Sequence, residues 1–359
     1  MSLKNLCREV LLMSIVVTII SGLMASLAHA APSAPRSLTL GLSDSDDKAL
    51  GGVCHSLDVG GQALPCNPAF IARETKPNFR AQLFAGNNIS YMQDVSKLLD
   101  GEGDRENMQR LFSQTRASEM EANLEGAYRR PTFGVAFSPY RLMYYSFIRN
   151  RSLPVITLLA AQEQTLRFQF AGYAGDDWSW GLQVRGVRRT FIASTFSITD
   201  AFSEDHDDIL GPRQQSAVYL EPGFLKEYPD SPWRTQFTGT LSQLGAVDRK
   251  ADDFPTSPEL HLGSAVRPPV SLGELELGLD LAFSSQTSHW SDPFRLGASY
   301  EIGVTKVSGS AGASEHAFGF QLRYWDMTGG LTYTSRWIKN WIGEDEWVRT
   351  VYLQFGFNI

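Results

Sequence analysis

The chain has 359 residues, 43% of them hydrophobic, and a formal net charge of −7. That is enough apolar material for a large core or a large closed sheet. The acidic balance, with no Lys/Arg-rich run, excludes nucleic acid as a partner.

Residues 1–30 read as a secretory signal. Lys4 and Arg8 make a basic start, an apolar stretch runs from Val10 to about Leu27, and Ala28-His29-Ala30 forms an A-x-A cleavage site. The apolar stretch is also long enough for an uncleaved membrane anchor. The small residues and the following APSAP favour cleavage, so the mature chain is expected to begin at Ala31. Cys7 then leaves with the leader, and Cys54 and Cys66 remain as an even pair in an oxidising compartment, where they are expected to form a disulfide. The competing reading is a metal site with His55, but it lacks a fourth ligand nearby. No cofactor or metal is expected.

Residues 31–77 do not alternate. They hold Gly51-Gly52, Gly60-Gly61 and then ALPCNPAF, which is too polar for a core strand and too Pro-constrained for a helix. Pro68 fixes its own φ and pushes Asn67 towards an extended conformation. The small Ala69 permits close approach to a wall, so the tripeptide suits a rigid turn inside a polar space.

From residue 78 the dominant period is two. In SEMEANLEGAY, Met120, Ala122, Leu124, Gly126 and Tyr128 share one face, and Glu119, Glu121, Asn123 and Glu125 share the other. A helix would scatter those carboxylates, whereas a strand gathers them. The spacing predicts fourteen strands: 78–91, 118–129, 132–140, 163–173, 177–190, 214–224, 232–244, 258–267, 271–284, 292–302, 304–311, 315–325, 328–338 and 346–359. The eleventh, VTKVSGSA, carries the least alternation, and twelve strands is the alternative count. Even strand number, short turns on one side and longer loops on the other suit a transmembrane antiparallel β-barrel. Three features argue against a soluble sandwich. Many runs are about ten residues long, the length of a tilted spanning strand. All eight Trp lie at or near strand ends, as in an interfacial girdle. The chain also stops on a strand, VYLQFGFNI, of the kind that closes a barrel and is read by the barrel assembly machinery.

Between the first two strands, Val95, Leu98 and Leu99, then Met108, Leu111 and Phe112, have helical spacing, with Gly101 and Gly103 between them. This predicts a short helical hairpin in the first extracellular loop, either capturing ligand or touching the membrane surface, or else capping the barrel rim.

The layout resembles the long-chain fatty-acid transporter (FadL-like) barrels and the related TraF-like outer-membrane proteins. The resemblance rests on a Gly-rich N-terminal segment ending at Asn67, Pro68 and Ala69 before a barrel. The stretches ELHLGSAVRPP, LGELELGLDLAF and FRLGASYEIG are similar in style. It implies an all-β chain divided into a signal peptide (1–30), a luminal hatch (31–77) and a barrel (78–359), in the outer membrane of a Gram-negative bacterium. The Cys54–Cys66 pair is not part of that resemblance and would stiffen the hatch. The implied function is passive transport of a small hydrophobic solute past the plug. The alternative is a structural or assembly protein with a sealed lumen, in contact with outer-membrane lipid and open to self-association. In the transporters a break in the third strand opens sideways into the bilayer. Here that strand is TFGVAFSPY, with Gly134 and Pro139 as break candidates, although Pro139 also fits the strand's outer end.

Alternation places Glu119, Glu121, Glu125, Glu274, Glu276, Asp280 and Glu301 towards the lumen, against Arg167, Arg185, Arg234, Arg267, Arg295 and Arg323, with His261 among them. Such a mixed-sign wall either selects ions or locks a plug. Most inward positions are polar, so an apolar site must come from elsewhere. LPVITLLAA from Leu153, read as part of an outer loop, is the candidate. An enzyme is not expected: Ser288-His289 has no nucleophile frame. His206 lies in EDHDD, which is read as a solvated acidic loop rather than a Ca²⁺ site.

Overall fold

The computed structural model describes residues 45–58, 63–86, 89–103, 105–113, 117–149, 155–197, 210–245, 254–284, 290–339 and 345–359. The leader, residues 31–44, His206, Ser288-His289 and Trp341 lie outside these described residues.

Fifteen antiparallel strand segments form one closed sheet: β1 (Asn78–Gly86), β2 (Ala117–Arg130), β3 (Phe133–Arg149), β4 (Val155–Tyr173), β5 (Trp178–Ser197), β6 (Arg213–Tyr228), β7 (Thr235–Ser242), β8 (Leu244–Gly245), β9 (Glu259–Val266), β10 (Glu274–Ser284), β11 (Phe294–Ile302), β12 (Thr305–Gly312), β13 (Glu315–Tyr324), β14 (Met327–Lys339) and β15 (Asp345–Asn358). Each is bonded to its neighbours around the ring, and the first and last strands pair from Arg80↔Asn358 to Gly86↔Tyr352. β7 and β8 are two halves of one wall strand, interrupted at Gln243 with φ 58°. The barrel therefore has fourteen strands. Closure leaves no unpaired edge for another chain to extend. β12, the segment with the least sequence alternation, pairs fully with β11 and β13. It is set off by a two-residue turn with Gly303 at φ 57°.

The outward face is apolar, as the alternation requires. Phe79, Leu83, Leu124, Phe170, Leu296, Phe318, Leu353 and Phe355 are all exposed there. Trp178, Trp180, Trp233 and Trp325 sit at the end of the barrel that holds the C-terminus, here the near end. Trp290 and Trp347 sit at the far end. An apolar band between aromatic rims is the signature of a membrane barrel. No described helix is long and apolar enough to cross a membrane.

The wall is not of uniform height. β3, β4 and β5 have 17, 19 and 20 residues against 8 in β12, so one side rises beyond the far rim. This corrects two readings of the sequence. LPVITLLAA does not lie in a loop, because from Val155 onward it is the first half of β4. The third strand does not end or break at Pro139 but runs on to Arg149. Register shifts on both of its edges, between Leu124/Gly126 of β2 and Ser138/Arg141 of β3, place one extra residue there. That is a β-bulge, which accommodates a proline and leaves the ladder intact on either side.

The sequence loses the strand at this point for a physical reason. Alternation needs one wet face, and here both faces are covered. The outward side chains Leu142, Tyr144, Ile156, Leu158, Ala160 and Ile192 lie beneath Val95, Leu98 and Leu99 of α2 (Met92–Leu99) and Met108 and Leu111 of α3 (Arg105–Ser113). The two helices thus cover the outside of the tall wall rather than the barrel mouth. A strand buried on both faces reads as a continuous apolar run.

Candidate functional site: the plugged lumen

Residues 45–58 and 63–74 lie inside the barrel and fill its near half. The segment begins with α1 (Ser45–Leu50), reverses at Gly51 and Gly52, both left-handed at φ 54° and 95°, and enters a 3₁₀ turn, Val53–His55. Cys54 and Cys66 are bonded to each other across twelve residues, so neither thiolate is free for the metal site weighed from sequence. A second 3₁₀ turn, Pro68–Arg73, starts at Asn67. The Asn67 side-chain oxygen accepts the Ala69 N–H at 3.0 Å, and Pro68 occupies the first turn, where its missing N–H costs nothing. The Asn67 amide then donates to the Phe224 carbonyl of the wall at 3.1 Å. The Asn-Pro-Ala tripeptide is thus both a cap and a bolt.

The wall makes room by omitting side chains. A Cβ at Gly181 would lie 2.3 Å from the Pro68 carbonyl carbon, and one at Gly223 would lie 2.2 Å from Asn67 Oδ1. Inward-facing Gly134, Gly263, Gly278, Gly297 and Gly319 lie equally close to Leu64, Ser56, Leu57, Val53 and Ala49. Gly134 is therefore a seat for the plug, not a break in β3. The glycines trace the footprint of the plug around the barrel. No single one is informative in the sequence, but their inward phase is.

Polar contacts hold the plug from all sides. Arg73 reaches Glu227 and Gln236 at 2.7 and 2.5 Å. Gln169 donates to the Pro65 carbonyl at 2.8 Å, Arg295 to the Gly51 carbonyl at 2.7 Å, and Ser310 to the Ala49 carbonyl at 2.8 Å. Ser56 and His261 meet the same carboxylate, Asp280, at 3.1 and 2.9 Å, while the His55 ring stacks on His261 at 3.7 Å. At the near end Glu74 pairs with Arg129 at 2.9 Å, yet burial outweighs that cation and pushes its carboxyl up.

Above the plug lies a belt of buried ion pairs. Glu121 holds Lys48 of α1 at 2.6 Å and Arg141 at 2.8 Å. Arg141 continues to Glu163 at 3.0 Å, and Glu163 to Arg189 at 3.2 Å. Glu125 pairs with Arg167, Glu221 with Arg185 and Glu119 with Arg336, at 2.6, 2.7 and 2.7 Å. The break in the seventh wall strand serves this belt, because the freed Gln243 N–H donates to Glu221 at 3.0 Å. Among the sequence candidates, Glu119, Glu121, Glu125, Arg167, Arg185, His261 and Asp280 are buried inside. Glu276 pairs with Arg267, and Arg323 with Glu301, half-buried near the barrel floor. Arg234 and Glu274 are corrections. Both are exposed at the near rim: Arg234 stands at φ 45° before β7 begins, where the alternation was extended past the end of the ladder, and Glu274 is the first residue of β10, paired with Glu301 where the strand emerges from the lumen. Lys48, Arg141, Glu163, Arg189 and Arg336 were missed. Only Arg141 stands in a segment that did not read as a strand; Glu163, Arg189 and Arg336 lie within predicted strands but were not singled out as inward, and Lys48 comes from the plug.

Above the belt, on the lumen side of the tall wall, the lining turns apolar: Met143, Tyr145, Phe147, Leu159, Ala161 and Phe191, closed over by Phe254 from the loop before β9. Phe191 and Phe254 meet edge to face at 5.5 Å, and the Arg189 guanidinium lies 4.1 Å from the Phe254 ring. Polar plug, charged belt and apolar vestibule thus follow one another along the barrel axis.

No family model and no curated protein matches the chain. Among solved structures it is similar to the Ralstonia pickettii toluene transporter TbuX, with a TM-score of 0.54 and 10% identity over 89% of this chain and 99% of that one. It is also similar to the CymD monoaromatic hydrocarbon channel, with a TM-score of 0.51 and 10% identity over 89% and 97%. At that identity the likeness is one of fold. The chain has the closed fourteen-strand barrel architecture that its resemblance to FadL-like barrels implied.

Proposed function

We propose that the protein is a passive outer-membrane channel for a small hydrophobic solute, which it admits at the far mouth and releases past the N-terminal plug. One observation carries this: the vestibule of Met143, Tyr145, Phe147, Leu159, Ala161, Phe191 and Phe254 is a buried apolar cluster above the charged belt, and it faces inward where the fold gains nothing from lipid contact. Such residues at the mouth of a barrel supply the apolar and aromatic side chains that line the sites of small apolar ligands. The solved channels that share the fold are named for toluene and monoaromatic hydrocarbons, which fit a vestibule of four aromatic and three aliphatic or thioether residues. The belt beneath it keeps water-borne ions out of the closed state. On this reading residues 1–30 are removed on export, the far end faces outward, and lipid surrounds the apolar band.

Uptake of labelled toluene by cells expressing the chain tests the proposal. Ala161→Arg places a charge among apolar side chains, and desolvating it without a partner costs several kcal/mol. Uptake is expected to fall to that of cells without the chain, while the variant still migrates as a heat-modifiable barrel. If the unaltered protein never exceeds cells lacking it, the transport reading is wrong, and a sealed structural barrel takes its place.

A further inference from the structure

The outward face between β3 and β6 is ordered in horizontal rows. Register pairs Phe168 with Val184 and Leu220, then Leu166 with Gly186 and Val218, then Gln164 with Arg188 and Ser216. Going towards the far end, the apolar band therefore stops at the Gly186 row, and the next row, about 7 Å higher at two residues' rise, is polar. Gly186 is the one residue of its row without a side chain, and a Cβ there would meet nothing within 4 Å. The result is a groove of about 390 Å³ lined by Phe137, Leu166, Val218 and the Gly186 backbone, with Arg188, Gln164 and Ser216 at its upper lip. Arg188 is exposed, and no described side chain forms an ion pair or hydrogen bond with it.

We infer that this groove is a binding site for a phosphate-bearing anionic lipid, with the first part of an acyl chain in the notch over Gly186 and the phosphate on Arg188. A cation at the apolar–polar boundary is costly to bring there and has no ion-pair partner among the described residues. A planar guanidinium can hold two phosphate oxygens at once. Directly below it the wall offers an apolar recess rather than a smooth surface, so headgroup and chain are recognised together. Gln164 and Ser216, to either side, supply hydrogen bonds to the remaining oxygens. The inference rests on the barrel lying in a membrane, not on what it transports.

Native mass spectrometry of the full chain in neutral detergent, titrated with phosphatidylglycerol and with phosphatidylcholine of the same acyl chains, tests it. One interfacial cation is worth about a fivefold preference for the anionic lipid. That preference is expected in the unaltered protein and lost in Arg188→Gln. Gly186→Phe fills the notch, points into open space and so leaves the barrel intact, and is expected to abolish retention of both lipids at this site. Equal retention of the two lipids by the unaltered protein, or an undiminished preference in Arg188→Gln, would overturn the proposal. Displacement of phosphatidylglycerol by millimolar inorganic phosphate would do the same, by showing a free-anion site. Toluene uptake by Arg188→Gln is expected to be unchanged, so the lipid site and the transport reading fail independently.

Discussion

Glu121 is fully buried and holds two cations at once, Lys48 from the plug and Arg141 from β3. Buried charges of this kind are weak evidence for stability as pairs, because desolvation offsets most of the attraction; removing one partner, however, strands the others. Glu121→Ala leaves Lys48 without the carboxylate that anchors α1 and removes one of the two carboxylates that hold Arg141. The expected cost is about 3–5 kcal/mol, read as a lower temperature for loss of the barrel's heat-modifiable mobility. Protease access to the N-terminal segment is expected to increase ahead of barrel unfolding. An unchanged transition temperature would mean that water already screens the belt. This residue was visible in the sequence because its strand has a wet-type face and a lipid-type face. Arg141, its partner, was not, because the bulge at Pro139 shifts the phase of β3 between Phe137 and Arg141 and the strand beyond it has no polar face to alternate with.

At the scale of elements, the plug is a short chain held by two unlike means. The Cys54–Cys66 bond closes a small loop, and about 3 kcal/mol of chain entropy goes with a loop of that size. Distributed hydrogen bonds from Arg73, Asn67, Gln169, Arg295 and Ser310 or their partners attach it to at least five strands. Reduction removes the first and leaves the second. The locally open plug should then become roughly a hundredfold more populated, and cleavage in residues 45–77 should accelerate while strands β1–β15 resist. Cys54→Ser with Cys66→Ser is expected to behave as the reduced protein does. Equal cleavage rates in the oxidised and reduced forms would mean that the wall contacts alone set the opening. The cysteines and the Asn-Pro-Ala turn stood out in the sequence because each constrains backbone locally. The seats they fit, such as Gly181 and Gly223, did not, because a glycine in a strand says only that something comes close, not what.

For the whole molecule, the question is whether the barrel needs its plug. Closure does not depend on it: β1 and β15 pair over seven residues, and every wall strand is laddered to two neighbours. The plug adds no strand, so its loss removes no ladder hydrogen bond. It does uncover the inward glycines, the Asp280–His261 pair and Glu227, all of which water can solvate in a lumen open to the near side. Deleting residues 45–77 is therefore expected to give a barrel that still assembles and shows the same β-type circular dichroism. In planar bilayers it should conduct ions in steps where the full chain shows none, with the belt of Glu121, Arg141, Glu163 and Arg189 as the remaining constriction. Neutralising that belt in the deleted form should change its preference for cation over anion, because those four side chains would then line the path. A deleted barrel that inserts and stays silent would move the seal from the plug to the belt and the Phe254 cap. A deleted barrel that fails to assemble would show that the plug is a folding template for the wall rather than a stopper within it.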